Sequence, residues 1–385
     1  MRNFKAVMAA AAVSLTLAAC GEGDAPKQQA TEKAPAKKEV VEKKAAPAKP
    51  AGPAKVGFVY VSPVGDAGYT YQHDLGRKAI EEKFGDRVKV SFVESVAEGP
   101  DSERVIMKFA QEDYQAVFAT SFGYMNPTLK VAKKFPNMAF EHATGYKRAA
   151  NVNTYLARFY EGRYLVGLVA GKMTKSNVIG YVAAFPIPEV VRGINAFTRG
   201  IRTVNPDAQV RVIWTNSWFD PGKEREAADT LIGQGADVLN LHADSPAVIQ
   251  AAEDAGIYAI GYNSDLSKFG PKAHLTASMT NWAPYYVKRV EEVLAGNWTG
   301  NRDTWDGLKE GMVQIAPFNA AVPADVQTMV EKAKADIIAG TLHPFAGPLK
   351  DNEGKERIAE GAVMSDGDML GFNWYVEGVV GKLPN

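Results

Sequence analysis

One cysteine, Cys20, stands among 385 residues, so no disulfide can form within a single chain and the fold must rest on its core alone. Net charge is also missing. The 44 lysines and arginines balance 44 aspartates and glutamates, which removes the basic excess that a nucleic-acid-binding face shows. The uncharged apolar run Ala6 to Leu17 is roughly half the ~20 residues that a membrane-spanning helix needs. Five histidines are scattered with neither H-x-x-H nor H-E-x-x-H spacing, so a zinc centre has no ligand set. No G-x-G-x-x-G follows the first strand pattern, and neither G-x-x-x-x-G-K-[ST] nor a G-x-S-x-G elbow occurs. Dinucleotide, triphosphate and serine-nucleophile chemistry therefore lack their motifs. The expectation is a protein with no catalytic residues, no metal and no cofactor.

What is present at the N-terminus is a signal. Arg2 and Lys5 precede the apolar run, which ends in small residues rather than a basic flank. Leu17-Ala18-Ala19-Cys20 resembles the lipobox of bacterial lipoproteins, in which small residues precede a cysteine whose thiol becomes diacylated. This gives a signal peptide over 1–19 and a lipidated Cys20. Several acyl chains anchor stably, at ~0.8 kcal/mol per buried methylene. The alternative is an ordinary signal peptide with an incidental cysteine. From Gly21 to about Ala54 the chain is Ala, Pro, Lys, Glu and Gln, with Pro recurring at 35, 47, 50 and 53. A segment with so few large apolar side chains cannot offset its ordering entropy and reads as a solvated tether over 20–54.

The remaining residues, about 330 of them, exceed what one core usually organises, so two lobes are expected. Short, nearly continuous apolar runs alternate with stretches of helical period, the pattern of βαβ units around a parallel sheet covered on both faces. Strands are expected at Val56–Val61, Val88–Val93, Ala116–Ala119 and Met138–Glu141, with helices over 71–84 and 101–112 between them. A glycine-bearing apolar helix over 160–173 suggests close packing on another backbone. A second series follows, with strands at Val178–Ala183, Val210–Trp214, Val238–Leu241 and Tyr258–Gly261 and helices beginning at Pro188, Pro221 and Pro246, each proline fitting the first helical position. The fold class is α/β, two doubly wound lobes joined by a hinge. Lobe 1 is expected over 55–175 plus 267–317, lobe 2 over 176–266 plus 318–385, with crossings near Lys175, Leu266 and Pro317. The stretch after Gly340, including Phe372-Asn373-Trp374-Tyr375, is expected to pack on lobe 2 as hairpins or a hinge cover.

Several segments, taken in order, resemble the basic membrane protein family of substrate-binding lipoproteins, which includes purine-nucleoside receptors. They are Val56-Gly57-Phe58-Val59 with Gly65-Asp66, then Tyr160-Glu161-Gly162-Arg163-Tyr164, and Ile179-Gly180-Tyr181-Val182. Phe219-Asp220-Pro221-Gly222-Lys223, Gln234-Gly235-Ala236-Asp237 and Gly261-Tyr262-Asn263-Ser264-Asp265 complete the series. The resemblance implies a type I periplasmic-binding-protein fold, a ligand held between the lobes, and delivery to the permease of an ABC importer. A lipoprotein that senses a ligand and signals to a membrane receptor is the alternative, as is a receptor for a nucleoside or a sugar.

In open α/β sheets ligands sit beyond the carboxyl ends of the strands, so the candidate residues follow each strand. After the first come Asp66, Tyr69, Thr70, Tyr71 and Gln72, where tyrosine faces suit a planar ring. His73 and Asp74 beside them could pair with its edge or simply cap the helix. After the third come Ser121 and Phe122. In the second lobe Phe185, Trp218 and Asp220 follow strands, Asp220 also being suited to cap a helix; His242, with Asp244 beside it, and then Asn263 and Asp265 read as hydrogen-bonding partners. The nucleoside receptors resemble Asp-Lys-Ser-Phe-Asn where Asp66 to Thr70 stand, so the aromatic survives at Tyr69 and the amide is lost at Thr70. They also carry Asp at the place of Asn263 and Lys near Thr280 or Asn281, both contacting the sugar in that family. With those charges gone, a purine nucleobase such as adenine is favoured over a nucleoside. The protein is expected to be exported, monomeric and anchored to a membrane through Cys20.

Overall fold

The computed structural model describes residues 52–384. The expected signal peptide, Cys20 and nearly all of the expected tether lie outside them. The first βαβ series runs β1 (Ala54–Val59), α1 (Tyr69–Phe84), β2 (Val88–Val93), α2 (Pro100–Gln111), β3 (Ala116–Ala119), α3 (Met125–Ala132), β4 (Ala139–Ala143) and β5 (Val152–Ala157). The second runs α4 (Phe159–Met173), β6 (Val178–Ala183), α5 (Pro188–Val204), β7 (Gln209–Trp214), α6 (Pro221–Gly233), β8 (Val238–His242), α7 (Ala247–Ala255), β9 (Tyr258–Asn263) and β10 (His274–Thr280). Then follow α8 (Ala283–Ala295), β11 (Asp303–Asp306), β12 (Val313–Ile315) and α9 (Ala324–Ala339). A hairpin of β13 (Leu349–Lys350) and β14 (Glu356–Ile358), the short α10 (Asp366–Leu370) and β15 (Val379–Val380) end the chain.

Two sheets result. One has the order β2-β1-β3-β4-β5-β11, all parallel; the other is β15-β7-β6-β8-β9-β10-β12, parallel except that β12 runs against β10. In both, the second strand formed lies outside the first and the third lies inside it. That order creates a switch point between β1 and β3 in lobe 1 and between β6 and β8 in lobe 2. β3 is buried at all four positions, which is why its sequence does not alternate. Phe58 and Phe118 stack across it at 4.7 Å, with Tyr286 of α8 edge-on to both.

The crossings fall elsewhere than Lys175, Leu266 and Pro317. The chain leaves lobe 1 at Arg158, because α4 packs on α5 and β10 of lobe 2, returns at Asn281-Trp282, and crosses again over 307–312 between β11 and β12. Lobe 1 therefore consists of 54–157 and 283–306, and lobe 2 of 159–280 and 313–384. The glycines of α4 determined its lobe. Gly167 lies against the backbone of Phe197 and Gly200 of α5, so close that a Cβ at Gly167 would meet Gly200 Cα at 3.2 Å. Among the elements that the sequence pattern passed over, β5, β10, α8, β11 and β12 flank the crossings.

The C-terminal segment packs on lobe 2 and reaches the first crossing. Asn195 of α5 donates to Trp374 O (2.8 Å) and accepts from Val376 N (3.0 Å), Arg192 donates to Met369 O (2.7 Å), and Arg158 makes a two-point ion pair with Asp366 (2.9 and 2.7 Å).

Candidate ligand site between the lobes

The two switch points face each other, and between them lies a cavity of about 410 Å³ of empty space, its mouth included. Lobe 1 contributes Val61 and Tyr69 from the end of β1 and the start of α1, Ser121 and Phe122 from the end of β3, and Thr144 from the end of β4. Lobe 2 contributes Glu189 from the first turn of α5, Trp218 from the loop after β7, Ala243 and Asp244 after β8, and Tyr262 and Asn263 at the end of β9.

The lobes are clasped shut. Asp244 accepts from Ser62 Oγ and from the backbone N–H groups of Tyr69 and Thr70 (3.4 Å), all across the cleft. Ser264 adds bonds to Gly68 N (2.8 Å) and Gln72 Nε2 (3.0 Å). Gly68 permits this approach: its φ is 98°, and a Cβ there would stand 2.7 Å from the Asp244 carbonyl oxygen. Burial raises the Asp244 carboxyl to about 7, against the pull of these hydrogen bonds. Trp218 is tied across the cleft too, its indole N–H donating to Glu98 Oε1 (3.2 Å), which also accepts from Ser121 Oγ (2.6 Å) and Gly123 N (2.8 Å).

Several polar atoms around the cavity are buried with no protein partner. They include Tyr69 Oη, Asn263 Nδ2 and Glu189 Oε2, all on residues that line it. Buried polar groups are normally paired, so unpaired ones converging on a cavity point to a polar ligand that completes them. Asn263 is set up for this role by a left-handed backbone (φ 60°), which asparagine tolerates, while its Oδ1 accepts from Thr280 Oγ1 (3.3 Å). Phe122 and Trp218 supply flat apolar surface from opposite lobes. Arg163 supports the floor: it donates to Asn240 Oδ1 (3.0 Å) and Leu241 O (2.9 Å), and its guanidinium lies 3.6 Å over the Tyr262 ring.

Of the residues singled out from sequence, Tyr69, Ser121, Phe122, Trp218 and Asn263 line the cavity, as does Asp244. The others sit nearby without lining it, each for a visible reason. Asp66 is drawn outward into an ion pair with Lys268 (2.7 Å), and Thr70 is buried against Ser62 Oγ (2.6 Å). Tyr71 points away on α1, half-buried, and Gln72 is used in the clasp. Phe185 packs behind Trp218 with ring centres 5.0 Å apart, and Asp220 caps α6 by accepting from Lys223 N (3.1 Å). His242 lies under Tyr262, its Nε2 3.2 Å from the phenol oxygen, and Asp265 closes a turn by accepting from Ser267 N (2.9 Å). His73 stacks on Trp282 at 4.7 Å and Asp74 pairs with Arg77 and Lys78, so both face the core of lobe 1 and neither caps α1. Val61, Thr144, Glu189, Ala243 and Tyr262 were missed. For Tyr262 and Ala243 the strand-end rule was signal enough; for Glu189, on a helix, it was not.

Two α/β lobes, three crossings and a clasped cavity at facing switch points form a bilobed protein with a candidate ligand site between its lobes. The chain belongs to the PnrA-like ABC transporter substrate-binding proteins, whose family model matches residues 54–342. It is 52% identical over 330 residues to a purine-binding protein of Brucella abortus (strain 2308), covering 86% of this chain and 94% of that one. It is 40% identical over 328 residues to a putative ABC transporter glucose-binding protein of Haloferax volcanii, covering 85% and 81%. A solute-binding protein of an ABC transporter system from Aeropyrum pernix K1 shares the fold, with TM-score 0.66 at 20% identity over 78% of this chain and 93% of that one.

Proposed function

We propose that this protein is the purine receptor of an ABC importer, that it takes a free nucleobase such as adenine in preference to a nucleoside, and that acylated Cys20 holds it on a membrane. The observation that carries the purine reading is the cavity: flat surface from Phe122 and Trp218, with unpaired Tyr69 Oη, Asn263 Nδ2 and Glu189 Oε2 around it. A planar heterocycle with polar edges suits such a set. The Brucella abortus relative named for purine binding supports it. The base is favoured over the nucleoside because ribose hydroxyls require dedicated polar partners, and the charged residues that meet them in the nucleoside receptors are replaced here by Asn263 and by Thr280-Asn281. Closure creates the surface a permease would read, since the Asp244, Ser264 and Trp218 bonds exist only with the lobes together.

The test is calorimetric titration of ligand-stripped protein with adenine, guanine, hypoxanthine, adenosine, glucose and ribose. A purine base is expected to bind at least tenfold more tightly than adenosine, with no heat from either sugar. Tighter adenosine binding sinks the base preference, and glucose binding alone sinks the purine reading in favour of the glucose-named relative.

Among the described residues no helix is long and apolar enough to cross a membrane, and the proposed anchor is acylated Cys20. Cys20→Ala is therefore expected to move the protein from the membrane to the soluble fraction on cell fractionation; an unchanged membrane fraction would count against the anchor.

A further inference from the structure

We infer that Glu189 selects the base, pairing with an edge that presents one donor beside one acceptor through one accepted and one donated hydrogen bond. This rests on the purine reading of the cleft. Two carboxyl groups line the cavity, and those of Asp244 are taken by Ser62, Tyr69 and Thr70. Glu189 is different: its side chain is only 10% exposed, Oε1 stands 3.8 Å from His242 Nε2, and Oε2 is buried with no partner at all. A buried carboxyl oxygen left unpaired is costly, so a ligand that reaches it gains the whole of that deficit.

Which form of the carboxyl meets the ligand decides which edge it reads. The groups facing it are Arg192 on its own helix, Arg163 from α4, His242 from β8, Tyr262 from β9 and Tyr69 across the cleft. Burial raises the Glu189 carboxyl to about 7, against the two arginines, which pull it down. His242 is kept neutral by burial and by the same arginines, so it supplies no countercharge. Up to neutral pH the acid form is therefore available, with an O–H to donate and a C=O to accept. That is the donor-and-acceptor pair that a glutamine amide presents to adenine, and it matches a ring nitrogen beside an amino group. The two adjacent N–H donors of guanine call instead for the ionised form.

The sign of the pH effect follows. If the acid form binds, affinity is full below about 7 and falls as pH rises through it, by about tenfold between pH 6 and pH 8. The experiment titrates adenine and guanine into ligand-stripped wild type, Glu189→Ala and Glu189→Gln at both pH values. Wild type is expected to bind adenine about tenfold more weakly at pH 8. At pH 6 Glu189→Ala should lose about tenfold or more, while Glu189→Gln recovers part of that loss and shows no pH dependence. Adenine affinity that ignores pH, or that survives Glu189→Ala, overturns the assignment, as does guanine binding as tight as that of adenine at pH 6, where the acid form prevails. A pH dependence that persists in Glu189→Gln gives it to Asp244 and overturns it too. Binding of neither base at either pH overturns the purine reading itself, and the assignment with it.

Discussion

Asp244→Ala is expected to weaken ligand binding by about two decades and to leave the protein more extended in solution. Asp244 is a lobe 2 residue whose three hydrogen bonds all end on lobe 1, on Ser62 Oγ and the amides of Tyr69 and Thr70. Above about pH 7, where the Asp244 carboxyl is ionised, bonds to it contribute about 1.5–3 kcal/mol each, and two well-made ones lost from the closed state alone amount to about 3 kcal/mol or somewhat more. A loss of about 3 kcal/mol is roughly a hundredfold in Kd. Because the bonds join lobes and not strands within a lobe, the melting temperature of the unliganded protein should change little. Small-angle scattering with and without ligand measures the opening, and calorimetry measures the affinity. Affinity within threefold of wild type, with scattering unchanged, would mean that the clasp does not hold the closed form.

Arg163→Met should act in the opposite way, on stability first. Arg163 is fully buried; its Nη1 donates to Asn240 and to the Leu241 carbonyl, and its guanidinium plane covers Tyr262. Methionine keeps much of the volume but leaves that carbonyl unpaired, and it removes one of the two cations beside the Glu189 carboxyl. Losing two buried hydrogen bonds made by a charged donor costs about 3–5 kcal/mol. For a chain of this size that is a fall in melting temperature of about 5 °C. Lysine is not a substitute, since an ammonium cannot both lie flat on Tyr262 and reach two acceptors in one plane, so Arg163→Lys should recover less than half of the loss. Differential scanning calorimetry of the three proteins decides it; a melting point within 1 °C of wild type for Arg163→Met would show that the network is not holding the floor of the site.

The alternation of strand and helix was legible because each lobe's central strands are covered on both faces. Ala116–Ala119 and Val178–Ala183 could be bounded from their apolar runs alone. β5 could not. Val152–Ala157 carries Asn153 and Thr154 in its middle, and only the fold shows them buried, paired with Glu141 and with Asp303 of the neighbouring edge strand. The crossings were hidden for a related reason: the apolar face of α4 reads the same whichever lobe it packs on, and what settled it was the glycine contact with α5. In the site, strand ends pointed to Tyr69, Ser121, Phe122, Trp218 and Asn263. They could not distinguish these from Asp220 or Asp265, whose carboxyls are satisfied by nearby backbone amides, nor point to Glu189, which a sequence reader takes for a solvated first-turn acid.

The last strand, β15, is only two residues long, yet it lies parallel along β7 and gives Val210 N a carbonyl, that of Gly378. Without it, β7 would present a row of free amides and carbonyls beside half-buried Val212, Ile213 and Trp214, a template on which a second chain could add a strand. The tail is thus a selvedge: it finishes the fabric of the second sheet, and a protein shortened at Gly340 would tend to be sewn to its neighbour.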